Sequence, residues 1–209
     1  MPYLIVEHLE DISEWLWLEY KHLSEWWKEK LIFTNVLPGE REKLAKLGSV
    51  VSESVTEFPL DRSKVIVLDL QAEEELKPGD IGEDTIIVVG GILGDAVPRG
   101  RTKEFITSRM EGVKVRHIGE AQFSIDGSGI VAKLIAEGKM LEEIDYEEHP
   151  TIRLDEFSEI TLHYAVPKLN GRLLLTPGLI ELQKRELGYT ETEVSDEELI
   201  EFFEGKGEL

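Results

Sequence analysis

An α/β fold, a mostly parallel sheet with helices on both faces, is predicted by three features of the 209-residue chain. Val65-Ile66-Val67-Leu68 and Thr85-Ile86-Ile87-Val88-Val89 are continuous apolar runs, as expected of strands covered on both sides. Helical periodicity lies between or after such runs, notably at 102–110 and 129–137. The order strand, helix, strand, helix then calls for crossover connections and parallel pairing.

Taken in order, residues 3–6 form a short apolar strand closed by Glu7 and His8. Asp11 and Glu14 are a capping pair for a helix in which Ile12, Leu16, Leu23 and Trp27 recur at helical spacing. Glu19 falls inside that stripe among Trp15, Trp17, Tyr20 and Trp26. A carboxylate on a packed face must be paired or shift its pKa upward, so Glu19 is either a buried anchor or a site residue.

Residues 31–36 read as a second strand, Pro38-Gly39 as a turn, 40–47 as a short helix ended by Gly48, and 50–55 as a further strand. Residues 113–118 add a third member to the buried strands, and 159–166 alternate as an extended segment. Pro177-Gly178 precedes a helix at 179–186, and Ser195 with Glu198 caps a last helix carrying Leu199, Ile200, Phe202 and Phe203. The chain reads as a single domain over 1–209, with 179–209 a helical acidic extension and no internal repeat.

Composition narrows the function. With 23 basic against 43 acidic residues the net charge is −20, and there is no cysteine. Disulfides, thiolate metal sites, iron–sulfur clusters and a cysteine nucleophile are therefore excluded. A field of this sign repels phosphate backbones and favours cationic ligands or basic protein partners, although acidic surfaces also serve solubility. No window approaches the roughly 20 apolar residues of a membrane span, and the start lacks a signal-peptide pattern. A cytoplasmic protein with no membrane partner is expected. Neither His8 nor His117, the histidines at strand ends, has metal-ligand spacing to another histidine, and no metal is expected. A GxSxG elbow is absent too, which argues against a serine hydrolase.

Open parallel sheets bind ligands outside the carboxyl ends of their strands. Three loops lie there. Asp69-Leu70-Gln71-Ala72 follows Leu68. Gly90-Gly91-Ile92-Leu93-Gly94-Asp95 follows Val89. His117-Ile118-Gly119-Glu120 follows residues 113–116 and leads to Phe123-Ser124-Ile125-Asp126-Gly127. Three glycines in five positions let a ligand approach the backbone, while Ile92 and Leu93 offer apolar walls for a flat ring. The glycine loop has neither the GxxxxGK[ST] spacing nor a GxGxxG opening a helix, and it supplies no lysine. A nucleoside held by backbone and apolar contacts fits better than a triphosphate. Asp95 closes the loop as a polar partner, and Pro98-Arg99-Gly100-Arg101-Thr102 leads into the next helix with Thr102 as its natural N-cap.

The segments EHLEDISEWLWLEY (7–20), VVGGILGDAVPRGRTKE (88–104) and IGEAQFSIDGSGIVAKLI (118–135) resemble a family of SPOUT-class (α/β-knot) methyltransferases. The family is typified by a yeast ribosomal-protein arginine methyltransferase, and its members are also labelled RNA methyltransferases. The resemblance runs in order from residue 1 to about 178. It implies a trefoil knot in the C-terminal part of the sheet and S-adenosylmethionine as cofactor. By position it places the cofactor contacts at Leu68, Asp69, Gly90, Gly91, Ile92, Leu93, Gly94, His117, Ile118, Gly119, Phe123, Ser124 and Ile125. The first loop departs from the family's Pro-Arg at Leu70 and Gln71, which are left out of that set.

Three functions follow. The first is arginine methylation of a basic ribosomal protein, the better electrostatic match to a chain at −20. The alternatives are RNA methylation of rRNA or tRNA, and a non-catalytic cofactor-binding adaptor in ribosome assembly. Carboxylates suit a guanidinium acceptor through paired hydrogen bonds, which makes Glu7, Glu19 and Asp95 the acceptor-side candidates. Both a monomer and a homodimer are compatible with the family.

Overall fold

The computed structural model describes residues 1–94 and 99–188. Its frame is a six-stranded sheet in the order β3-β2-β1-β5-β4-β6, parallel at every pairing. The strands are β1 (Tyr3–His8), β2 (Leu31–Thr34), β3 (Ser49–Val50), β4 (Val65–Leu68), β5 (Ile86–Gly91) and β6 (Lys114–Arg116). The parallel α/β class is therefore as the apolar runs foretold, and β4 and β5 are the two runs that carried it.

Period-2 alternation sorts the strand side chains to two faces. Leu4, Val6, Ile66, Leu68, Ile87 and Val89 point into the larger cluster, packed by α1 (Glu14–Trp27) and α4 (Ile125–Ala136). Ile5, Val65, Val67 and Val88 point the other way, onto Val55, Ile106 and Met110. The second face is closed by α3 (Arg101–Phe105), a 3₁₀ turn at Thr107–Arg109 and the 52–60 segment. A short α2 (Arg41–Leu44) lies between β2 and β3.

Helix α1 starts at Ser13, not Asp11, because the Ser13 hydroxyl accepts from the Leu16 N–H at 3.1 Å. It packs on α4 through a glycine. A Cβ on Gly129 would sit 2.3 Å from Leu23 Cδ2, and Trp27 Nε1 donates to the Gly129 carbonyl at 3.0 Å. The helix expected at 129–137 begins a turn earlier, since Ser124 is its N-cap and accepts from Gly127 N–H at 3.1 Å.

Three expected elements differ from what forms. The strand at 50–55 is regular only at Ser49–Val50; the Val51 and Glu53 carbonyls still accept from Val36 and Asn35 N–H, and Ser54 and Val55 then turn in to bond with Glu7. The helix at 102–110 is broken after Phe105, which brings Ile106 and Met110 under the sheet. The 159–166 segment is split between two sheets. Its first part, β9 (Glu159–Thr161), pairs antiparallel with β8 (Thr151–Arg153). Its end opens β10 (Val166–Leu169), which lies between β7 (Tyr146–Glu147) and β11 (Arg172–Leu173).

Helix α5 (Leu179–Glu186) buries Leu179 and Leu182, the former against the cluster of Ile152, Leu162 and Val166. Its Arg185 is 2.5 Å from Glu14 at the start of α1. The helix expected at 195–203 lies outside the described residues. Among the described residues no helix is long and apolar enough to cross a membrane.

Candidate cofactor cleft

The carboxyl ends of β4 and β5 and the start of α4 open onto one cleft of about 900 Å³, counting its mouth. Leu68, Val89, Ile92, Ile118, Phe123 and Ile125 form its apolar lining. Gly90 lies in its floor, where a Cβ would come 3.4 Å from Thr102 Oγ1. Arg99, Gly100, Arg101 and Thr102 close one side, and among the described residues no lysine is in the lining.

Of the expected contacts, Leu68, Asp69, Gly90, Ile92, Gly94, Ile118, Phe123 and Ile125 are brought to the wall. The other five are not, and each has a different duty. Gly91 is packed under α1, where a Cβ would fall 2.3 Å from Tyr20 Oη and 2.8 Å from the Glu7 carbonyl. Leu93 pins the glycine loop: its N–H donates to Glu10 at 2.6 Å and its carbonyl accepts from Arg101 at 2.5 Å. The ring of His117 accepts the Gly119 N–H at 3.1 Å, making a local turn in which Gly119 takes φ 109°. Ser124 caps α4.

Leu70 and Gln71, left out for departing from the family's pattern, do line the cleft. So do Ala121 and Gln122 and the Arg99–Thr102 run. The signal for that run was Gly100. It has φ 68° and acts as the N-cap of α3 in place of Thr102, so the arginines flank a left-handed turn rather than a regular helix start.

The acceptor-side candidates fare differently. Glu7 is 2% exposed, and its carboxylate accepts from Thr34, Ser54 and the Val55 N–H at 2.5, 2.6 and 2.8 Å. It ties β1 to the chain after β3 and does not reach the cleft. Glu19 is 1% exposed and accepts from Trp15 Nε1 and the Ile125 N–H, both at 2.9 Å. Burial, with the Asp126 charge behind it, pushes the Glu19 carboxyl well above the usual carboxylate range. Glu19 is thus the anchor of the two readings offered for it, standing directly behind the cleft wall. Asp95 lies outside the described residues.

Around Glu19 lies a buried polar network that no sequence pattern announced. Asp126 accepts from Ser124 at 2.6 Å and Thr176 at 2.7 Å and is 2.7 Å from His22 Nδ1. Nearby, the Tyr164 hydroxyl is buried without a hydrogen-bond partner among the described residues, and burial with the Glu19 and Asp126 charges drives its pKa upward. On the β1 side, His8 bridges Tyr20 Oη at 2.9 Å and Glu40 at 3.0 Å. Glu40 also accepts the Ile12 N–H at 3.0 Å, holding the chain between β1 and α1. Among the described residues there is no group of three or more His, Asp or Glu side chains that could hold a metal.

A parallel sheet with a lysine-free, glycine-floored cleft at its strand ends defines an α/β protein that takes a nucleoside-bearing ligand through backbone and apolar contacts. The chain belongs to the SFM1-like family of protein arginine N-methyltransferases, whose family model matches residues 3–190. It is 31% identical over 201 residues to the protein arginine N-methyltransferase SFM1 of Saccharomyces cerevisiae, covering 87% of this chain and 94% of that protein. The crystal structure of yeast SFM1 complexed with SAM superposes with a TM-score of 0.80 at 27% identity, covering 88% of this chain and 91% of the other. SFM1 complexed with SAH gives a TM-score of 0.76 at 26% identity, over 86% and 93% of the two chains. A dual specific Trm10 from Thermococcus kodakaraensis shares the fold at TM-score 0.52 and 21% identity, over 68% of this chain and 96% of that one.

Proposed function

We propose that the chain transfers a methyl group from S-adenosylmethionine to an arginine of a basic ribosomal protein. The observation that carries the reading is the cleft: it stands at the strand ends of a chain that matches SFM1 complexes with SAM, SAH and MTA over 86–88% of its length.

The residues present fit such a cofactor. Leu68, Val89, Ile118 and Phe123 suit an adenine ring, Gly90 leaves the floor open, and the Arg99–Arg101 side suits a carboxylate. Bound there, the cofactor would supply an electrophilic sulfonium methyl for an arginine nitrogen. The protein's part is largely positioning. Apolar walls exclude water, Arg101 and Glu10 fix the glycine loop through Leu93, and Glu19 fixes the first turn of α4 through Ile125. In this reading Asp95 is the acceptor-side carboxylate, while Glu7 and Glu19 are engaged by internal hydrogen bonds. The trefoil knot implied by the resemblance belongs to the same reading.

A protein acceptor is favoured over RNA by the net charge of −20. The test is to incubate the purified chain with methyl-labelled cofactor and either RNA-free ribosomal protein or protein-free ribosomal RNA. Label on arginine in the protein fraction is expected. Label confined to RNA overturns the protein acceptor, and cofactor binding with no transfer to either leaves the adaptor.

A further inference from the structure

Beside the cofactor cleft lies a second recess of about 450 Å³, counting its mouth, and the two share Ala121 and Gln122 as a common wall. The wall is stiffened from behind, where the Ala165 N–H donates to the Gln122 carbonyl at 2.7 Å and Phe123 bridges to Ala165. Among the described residues the ionisable side chains around the recess are Glu120, Glu148, His149 and His163, and no lysine or arginine lines it. Among the described residues neither Glu120 nor Glu148 has an ion-pair partner. Two unpaired carboxylates at one opening repel an anion and favour a cation.

The same recess is the root of a projecting hairpin. His149 and His163 stand just outside the pair Thr151 and Thr161, where β8 and β9 begin to run side by side. One face of the hairpin is fastened to the body by Ile152, Leu154 and Leu162, all buried. Its tip is not free to collapse. The Leu154 N–H donates to the Ser158 carbonyl at 2.9 Å, and the Asp155 carboxylate accepts from the N–H groups of Phe157 and Ser158 at 2.7 and 2.8 Å. The guanidinium of Arg153 clamps the Asp155 and Glu156 carbonyls at 2.7 and 3.0 Å. This rigid turn holds up Phe157, which is 95% exposed.

A turn of this kind normally takes Asp, Asn, Ser or Gly at its tip. A phenylalanine held there leaves its hydrophobic burial uncollected in the chain on its own, which is how an interface anchor is built: an aromatic side chain with little conformational freedom left to lose. The charge around it points to the partner. Between residues 142 and 161 there are eight acidic residues and one arginine, and that arginine is spent within the turn.

We propose that the β8–β9 hairpin and the recess at its root are the docking surface for the basic protein substrate. Phe157 inserts into an apolar site on that protein, and Glu120 and Glu148 receive one of its cationic side chains next to the cofactor cleft. This inference rests on the protein-methylation reading above.

The experiment compares wild type with Phe157→Ser, Phe157→Trp and the double variant Glu120→Gln, Glu148→Gln, using RNA-free total ribosomal protein and methyl-labelled cofactor. For Phe157→Ser the apparent KM for protein rises tenfold or more while kcat, cofactor affinity and the melting temperature stay at wild-type values. Phe157→Trp restores KM. The double variant raises KM and flattens its dependence on salt. An unchanged KM in Phe157→Ser overturns the docking surface and leaves the methylation reading standing. An unlabelled protein fraction with wild type overturns both. A loss of kcat or cofactor affinity in Phe157→Ser overturns the docking role, because the hairpin is then part of the cleft's support.

Discussion

Glu19 Oε2 accepts a 2.9 Å hydrogen bond from the backbone N–H of Ile125, so a carboxyl on α1 holds the first turn of a helix 106 residues further along the chain. Ile125 is part of the cleft wall. The bond therefore links the packing of α1 to the shape of the cleft, and it does so from a fully buried group whose ionised form is disfavoured by burial and by Asp126.

That relationship predicts a pH dependence. In the unfolded chain Glu19 ionises near its ordinary value of about 4.3; in the folded chain it ionises at higher pH. Its contribution is thus fully present below the unfolded value and is lost as pH rises toward the folded one. Wild type should lose stability relative to Glu19→Gln by up to about 1.4 kcal/mol per pH unit across that window. Urea midpoints for both proteins from pH 4 to pH 8 measure this. A constant difference would mean that Glu19 is ionised in the fold.

Neighbouring glycines on β5 should respond in opposite ways. Gly90→Val places its methyl groups in the cleft floor, so cofactor affinity should fall tenfold or more with little change in melting temperature. Gly91→Ala drives a methyl into Tyr20 Oη and the Glu7 carbonyl, and should cost about 1–3 kcal/mol of stability by overpacking. Calorimetric titration and thermal melts separate the two. A stable Gly91→Ala, or a Gly90→Val that binds cofactor normally, contradicts the loop geometry.

Tyr164→Phe should stabilise the fold. Its hydroxyl is buried with no partner among the described residues, so removing it relieves a desolvation cost of about 1–3 kcal/mol. Loss of methyl transfer in a Tyr164→Phe protein that melts higher would instead give the hydroxyl a part in the chemistry.

Ionic strength should act on one substrate and not the other. A chain at −20 attracts a basic protein through a field that salt screens over about 8 Å at physiological strength. KM for ribosomal protein should rise several-fold between 50 and 300 mM salt, while the calorimetric affinity for S-adenosylmethionine stays nearly constant. A salt-independent KM would remove electrostatic attraction from the account.

The parallel sheet could be read from the chain because Val65–Leu68 and the run ending in Val89 are apolar on both faces, and burial on both faces leaves that mark whatever lies above and below. The glycine loop at the strand end was legible for the same kind of local reason: Gly90 and Gly94 line the cleft, and glycine is the residue that lets backbone come close to whatever fills it. What a carboxylate does is a different matter. Glu7 and Glu19 look alike as acids beside aromatic residues, yet Glu7 is spent on Thr34, Ser54 and Val55, and Glu19 on Trp15 and Ile125. Most of those partners are 27 to 106 positions away, and sequence spacing carries no record of them. The recess beside Gln122 and the rigid display of Phe157 are equally non-local, because they arise where the 120–122 loop meets the hairpin root. Sequence determined the sheet, the cleft's floor and the net charge of −20, since each depends on residue type and short-range order. Tertiary structure decided which acids are tied up in internal hydrogen bonds and where the recess and Phe157 lie, since those depend on which distant groups packing brings within hydrogen-bond range.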